Sequence, residues 1–165
     1  MTAGERAFSG LRAGGALLDR ASIEWPVGTL AVLDLDRFGR VSARHGSATG
    51  DALLEAIERR LRKAVAGSGH AVAIGGDQFL VVVPGLADPA ALGQRFLAAV
   101  KDVRIRTGWG RAAWVSASAG LASWAVSDGT VDVALRSAVR ALTAAKAAGG
   151  NCWAESRLRS GVARS

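Results

Sequence analysis

Two short acidic stretches hold the residues best suited to chemistry. One is Leu30-Ala31-Val32-Leu33-Asp34-Leu35-Asp36, an apolar run that closes on two carboxylates. The other runs from Ala71 to Val83, where Gly75-Gly76-Asp77 separates two apolar, β-branched runs and Gln78-Phe79 follow it. Strand residues two apart share a face, so Asp34 and Asp36 alternate with Leu33 and Leu35. The Gly-Gly-Asp turn is a hairpin signal and lifts Asp77 to the tip of a strand pair. A plain hairpin would read the same way, so the chemistry rests on the two stretches together. An acidic strand end beside an acidic hairpin tip is how a fold builds a divalent-cation site for phosphate chemistry.

The elements that must position these carboxylates follow from periodicity and punctuation. Residues 4–20 read as a helix weakened by Gly14-Gly15, and Trp25-Pro26-Val27-Gly28 turns into a strand over 29–35. A short helical piece covers 37–44. A stronger helix opens at Thr49 or Gly50, with Leu53, Leu54, Ile57, Leu61, Ala64 and Val65 as its apolar stripe, and Gly67-Ser68-Gly69 stops it before the hairpin. Asp88 and Pro89 supply an N-cap and a first helical position for a helix ending near Lys101. Residues 104–111 read as irregular, and a strand is expected over 112–125. Asp128-Gly129-Thr130 then turns into a helix over 131–147, and 151–154 can add a last strand. The β-α-β-β-α-β order predicts strands and helices built around one hairpin.

These motifs resemble the GGDEF domain, the catalytic module of diguanylate cyclases. The name-giving motif is written here as Gly75-Gly76-Asp77-Gln78-Phe79. Phe8-Ser9-Gly10-Leu11 with Ala16-Leu17-Leu18 is similar to the family's lead-in, and Asp34-Leu35-Asp36-Arg37-Phe38 to its Asp-x-Asp-x-Phe-Lys segment. Gly46 with Gly50-Asp51-Ala52-Leu53-Leu54, then Ser116–Ala122, then Ala145-Lys146 with Gly149 and Asn151, resemble the later motifs in order. The resemblance implies an α+β, palm-like nucleotidyl cyclase fold: a mainly antiparallel central sheet, a hairpin carrying the turn, and helices packed around it. It implies one domain over 1–155, with 1–24 as a helical lead-in and 156–165 as a basic tail. It also makes the first strand and the hairpin neighbours.

In active relatives two GTP-loaded domains face each other, and each attacks the other's α-phosphate with a ribose 3′-hydroxyl to form cyclic di-GMP. The resemblance implies Mg2+ or Mn2+ held with the nucleotide by Asp34, the Leu35 carbonyl, Asp77 and the position of Gln78, with Asp77 catalytic if the chain is active. It implies a nucleotide pocket from Phe38, Gly39, Ser42, Asp51, Gly75, Gly76 and Lys146. Several of these positions depart from the pattern. Gln78 replaces a carboxylate and brings no charge to a cation site. Gly39 replaces a Lys, Ser42 replaces a guanine-contacting Asn, and Gly150 replaces an Arg. Val139 and Thr143 stand at the usual acidic and tyrosine positions near Lys146. The Arg-x-x-Asp product site is absent, with Ala66 and Gly69 in those places. The leading expectation is therefore a degenerate GGDEF domain with little or no cyclase activity, keeping guanine-nucleotide (GTP) binding or an interaction role in cyclic-di-GMP signalling. The competing one is a working diguanylate cyclase that tolerates Gln78, and a third is a basic nucleic-acid-binding domain. Candidate partners are GTP or a related guanine nucleotide, a protein partner and a second copy of the chain.

Composition narrows the classes further. At 165 residues the chain can bury a real core, and no apolar run reaches membrane-spanning length. The first twenty residues lack a signal-peptide pattern, and one cysteine, Cys152, excludes an internal disulfide, so a cytoplasmic location without membrane contact is expected. His45 and His70 have no metal-ligand spacing. The net charge of +7 points either to a polyanionic partner or to a solvated basic surface. Arg37, Arg40 and Arg44 fall where phosphates are expected, while Arg59, Arg60, Arg62 and Lys63 read as an outer helix face with Glu55→Arg59 and Glu58→Arg62 pairs. Trp114 and Trp124 sit in an alternating strand pattern and are expected in the core.

Overall fold

The computed structural model describes residues 3–107, 110–125, 127 and 130–156, with only the backbone for 3–9 and 11. The expected turn at Asp128-Gly129 and the basic tail after Ser156 lie outside the described residues.

The strand that carries Asp34 is the middle of the sheet. β1 (Val27–Leu35) pairs antiparallel with β3 (Gln78–Pro84) on one edge and with β6 (Ala117–Ala125) on the other. β2 (His70–Gly75) pairs antiparallel with β3, and β7 (Trp153–Ser156) lies parallel to β6, giving the order β2-β3-β1-β6-β7. A parallel neighbour needs a crossover, and helix α5 (Val131–Ala147) supplies it between β6 and β7. Both faces of β1 are covered, so it reads as a near-continuous apolar run rather than as an alternation.

Side-chain alternation splits the core into two layers. Ala31, Leu33 and Leu35 face one side together with Phe79, Val81, Ala119 and Leu121. Helices α3 (Ser47–Ala64) and α4 (Pro89–Lys101) close that side with Leu53, Ile57, Leu61, Phe96 and Val100. Leu30, Val32, Leu80, Val82, Ala122 and Trp124 face the other side, against α1 (Ala3–Glu24) and α5. The buried stripe of α5 is mostly alanine, Ala134, Ala138, Ala141 and Ala145, which lets the helix lie close to β6. Gly120 is needed there: a Cβ on it would stand 2.0 Å from the Ala138 carbonyl oxygen. This close packing fixes the end of α5, and with it Lys146, relative to the sheet.

Most expected elements form where the pattern put them. The Asp88 side chain caps α4 by accepting from the Ala90 amide at 3.0 Å, with Pro89 in the first turn. Arg62 and Glu58 pair at 2.7 Å on the outer face of α3. The single strand expected over 112–125 is instead two pieces. β5 (Ala112–Ala113) pairs with β4 (Ile105–Arg106) in a separate two-stranded ribbon inside the stretch read as irregular, and residues 114–116 lie between β5 and β6. The expectation that Trp114 packs in the core is therefore wrong. Trp114 falls in the break and is 56% exposed, while Trp124, within β6, is 4% exposed. The last strand lies at 153–156 rather than 151–154. Among the described residues no helix is long and apolar enough to cross a membrane.

Candidate functional site

The turn after β2 is built by glycine. Gly75 and Gly76 have φ of 138° and 54°, a region that costs other residues strain, and the ladder shifts register between Ala73 and Gly75. The hairpin tip then folds against the end of β1. Asp34 is the register partner of Gln78, and the Leu35 amide donates to the Asp77 carbonyl at 3.0 Å. Asp34, Leu35, Asp77 and Gln78 therefore meet at one place, as expected.

Asp34 has partners on both oxygens. The Lys146 ammonium, reaching from the last turn of α5, donates to Oδ1 at 2.5 Å, and the Gln78 side-chain amide donates to Oδ2 at 3.0 Å. The Asp77 carboxyl is pushed above its ordinary range, first by burial and then by the Asp34 charge; a hydrogen bond from its own backbone and the Lys146 charge pull it partly back. Asp77 and Asp34 thus repel each other, and Lys146 offsets part of that repulsion. Among the described residues, no three His, Cys, Asp or Glu side chains converge as a metal-binding group.

Asp36 does different work. Its Oδ2 accepts from the Ser116 hydroxyl at 2.7 Å and the Asn151 amide at 2.8 Å, and its Oδ1 accepts from the Ser118 hydroxyl at 2.7 Å. The Asp36 amide in turn donates to the Ser116 carbonyl at 2.8 Å. One carboxylate thereby ties the end of β1 to the start of β6 and to the loop that follows α5. The second acid of the Asp-x-Asp pair is a positioning residue, a role the sequence does not reveal because its partners lie 80 to 115 residues away.

The remaining expected nucleotide residues lie around the corner between α2 (Phe38–His45) and α3. Arg37 takes a left-handed conformation (φ 56°) that turns the chain from β1 into α2. Phe38 and Ser42, one turn apart on α2, both face Gly50: a Cβ there would meet Ser42 Oγ at 3.0 Å and the Phe38 ring at 3.3 Å. Asp51 follows on α3, half-buried. Gly39 is exposed with open space around it, so nothing in the packing demands glycine there. Arg37, Arg40 and Arg44 line a groove between α2 and the 111–116 segment, and Asp34, Asp77, Gln78, Ser42, Asp51 and Lys146 are not among its lining residues. The cause is the packing of α2: its Phe38–Ser42 side is turned to α3, so its arginines fall elsewhere.

A palm-like α+β sheet with an acidic strand end, a glycine hairpin and a lysine from the crossover helix defines a nucleotidyl-cyclase type of domain. The chain belongs to the GGDEF family, described as diguanylate cyclase, GGDEF domain, whose profile matches residues 17–152. The GGDEF domain of DgcB from Caulobacter crescentus, solved in complex with c-di-GMP, superposes with a TM-score of 0.77 at 23% identity over 91% of each chain. An EAL/GGDEF domain protein from M. capsulatus gives a TM-score of 0.69 at 31% identity, covering 81% of this chain and 86% of that one. Diguanylate cyclase DgcS of Shewanella oneidensis is 36% identical over 64 residues, 39% of this chain and 22% of that protein. The chain matches only 8% and 22% of the length of its curated relatives.

Two outcomes follow from this geometry. Asp36→Ala strips partners from the fully buried Ser118 hydroxyl, the Ser116 hydroxyl and the Asn151 amide. It should lower unfolding free energy in urea by about 3 kcal/mol, with Asp36→Asn, which keeps one acceptor, in between. Asp77, with its folded pKa raised, contributes stability below the ordinary carboxylate range, and that stability is lost as pH rises through the folded pKa. Asp77→Asn should therefore melt above the parent at neutral pH, and the gap should close as pH falls to about 4 and below. A gap that widened with falling pH would contradict the assignment.

Proposed function

We propose that this chain is a degenerate GGDEF domain with little or no cyclase activity, which keeps a weak guanine-nucleotide pocket and serves as a regulatory or interaction module in cyclic-di-GMP signalling. The observation that carries the reading is the state of Asp34. Its two oxygens are taken by the Lys146 ammonium and the Gln78 amide. Diguanylate cyclisation needs divalent cations to neutralise a triphosphate and to activate a hydroxyl. These residues are a poor match to Mg2+ or Mn2+. Gln78 turns its donor, not an acceptor, into the site, and a cation would have to displace an ammonium from Asp34. Two carboxylates offset by one lysine leave a net charge of only about −1, whereas cation affinity in such sites follows the number of charged ligands.

What the residues can do is bind. Asp51 is suited to accept from guanine N1 and N2, and Ser42 offers a hydroxyl where an amide would offer donor and acceptor together. The backbone from Arg37 to Gly39 can cradle phosphate without side-chain charge, with Lys146 as the nearby cation. Each hydrogen bond lost to the base costs about 0.5–1.5 kcal/mol, so binding in the micromolar to millimolar range is expected.

The test is turnover and melting together. With GTP and magnesium the protein should make little or no cyclic di-GMP, while GTP raises its melting temperature more than ATP does and Asp51→Ala removes the difference between the two. Any trace of product should increase in Gln78→Glu, which restores a third carboxylate. Product formed by the unaltered chain at about 1 per second or faster would overturn the degenerate reading in favour of a working cyclase. Absence of any nucleotide-dependent shift would remove the pocket and leave protein contacts as the domain's role.

A further inference from the structure

The groove lined by the arginines of α2 has a volume of about 910 Å³, and its lining includes neither Asp34 nor Asp77. Arg37, Arg40 and Arg44 line it from the α2 side, and Arg111 and Trp114 from the β5 side. All four guanidinium side chains are exposed, and no ion pair among the described residues takes up any of them. The one carboxylate on the wall, Asp36, is already held by Ser116, Ser118 and Asn151. Four cations without an ion-pair partner among the described residues line this one groove, a concentration of positive charge that the fold does not use.

Trp114 adds a second, independent feature. It is a large indole left 56% exposed at the break between β5 and β6. The Arg104 guanidinium lies 5.3 Å from the centre of its ring, and Arg104 itself is pinned by the carbonyls of Lys101 and Val103. A cation stacked on one face holds the indole in place, and the exposed remainder faces the groove. Guanidinium groups recognise phosphate through paired hydrogen bonds, and an indole face recognises a planar base.

We propose that this groove is a binding site for a nucleotide, its phosphates on Arg37, Arg40, Arg44 and Arg111 and its base on Trp114, separate from the α2–α3 corner. The shared chemistry is a base joined to phosphate, whether as a free nucleotide or as part of a single strand. Stacking on an indole is tolerant of base identity, so the site takes adenine and guanine alike.

The experiment is calorimetric titration of the full chain with ATP, inorganic triphosphate and a short oligothymidine strand, repeated with Arg40→Glu/Arg44→Glu, with Trp114→Ala and with Asp51→Ala. Circular dichroism melting verifies that each variant is folded. Reversing two cations should weaken ATP and the strand by at least about tenfold, since one charged hydrogen bond alone is worth that much. Trp114→Ala should weaken ATP and the strand while leaving triphosphate unchanged, and binding of ATP should persist in Asp51→Ala. Tighter binding of the strand than of ATP identifies a single strand as the source, and the reverse identifies a free nucleotide. ATP affinity indifferent to Trp114→Ala, or equal to that of triphosphate, would overturn the nucleotide assignment. ATP affinity indifferent to the double charge reversal but lost in Asp51→Ala would place the ligand in the α2–α3 corner and overturn the groove. If GTP fails to bind at Asp51, the charge-reversal and Trp114→Ala outcomes stand, because neither variant alters that pocket.

Discussion

A strand covered on both faces has room for carboxylates only at its end, and each one there must find a partner. β1 is that strand, and the constraint organises everything around it. Its apolar run forces the sheet to sit between two helical layers. At its end Asp36 is satisfied by two serines and a backbone amide, and Asp34 by a lysine and an amide side chain. The first set of bonds fixes the geometry of three segments. The second determines how much negative charge is left for a ligand. A buried or half-buried carboxylate without such partners would be costly, so these contacts stabilise the fold.

Much of this was legible because its causes are local. Two glycines before Asp77 announce the hairpin, Asp88-Pro89 announces a helix start, and the unbroken run into Asp34 announces a strand. The family resemblance made the first strand and the hairpin neighbours, and with that the meeting of Asp34 with Asp77. What stayed hidden depends on distant partners. Nothing near Asp36 points to Ser116, Ser118 or Asn151. Trp114 reads as a strand residue because Ala112 to Ala125 alternates well enough, and only the separate pairing of β5 with β4 reveals the break. A helix of eight residues such as α2 has too little sequence to say which side packs. That choice is made by Gly50 on α3, whose missing side chain leaves room for Phe38 and Ser42.

Replacing a carboxylate by Gln78 does more than subtract a charge. The amide adds a donor, and that donor lands on the carboxylate that remains. Together with Lys146 it ties Asp34 to the hairpin and to the end of α5. Elsewhere the basic surface goes unused by the fold, above all in the α2 groove.

The claim that Asp34 is occupied by its own protein is tested most directly by Mn2+ and amide NMR. A bound paramagnetic ion erases the resonances of nearby amides and leaves distant ones intact. With Mn2+ equimolar to protein and no nucleotide present, the amides of Leu35, Gly76 and Gln78 should keep the same relative intensity as that of Leu97 on α4. Selective loss of the Leu35, Gly76 and Gln78 signals at that ratio would mean that the ion displaces Lys146 and Gln78 readily, and would contradict the account.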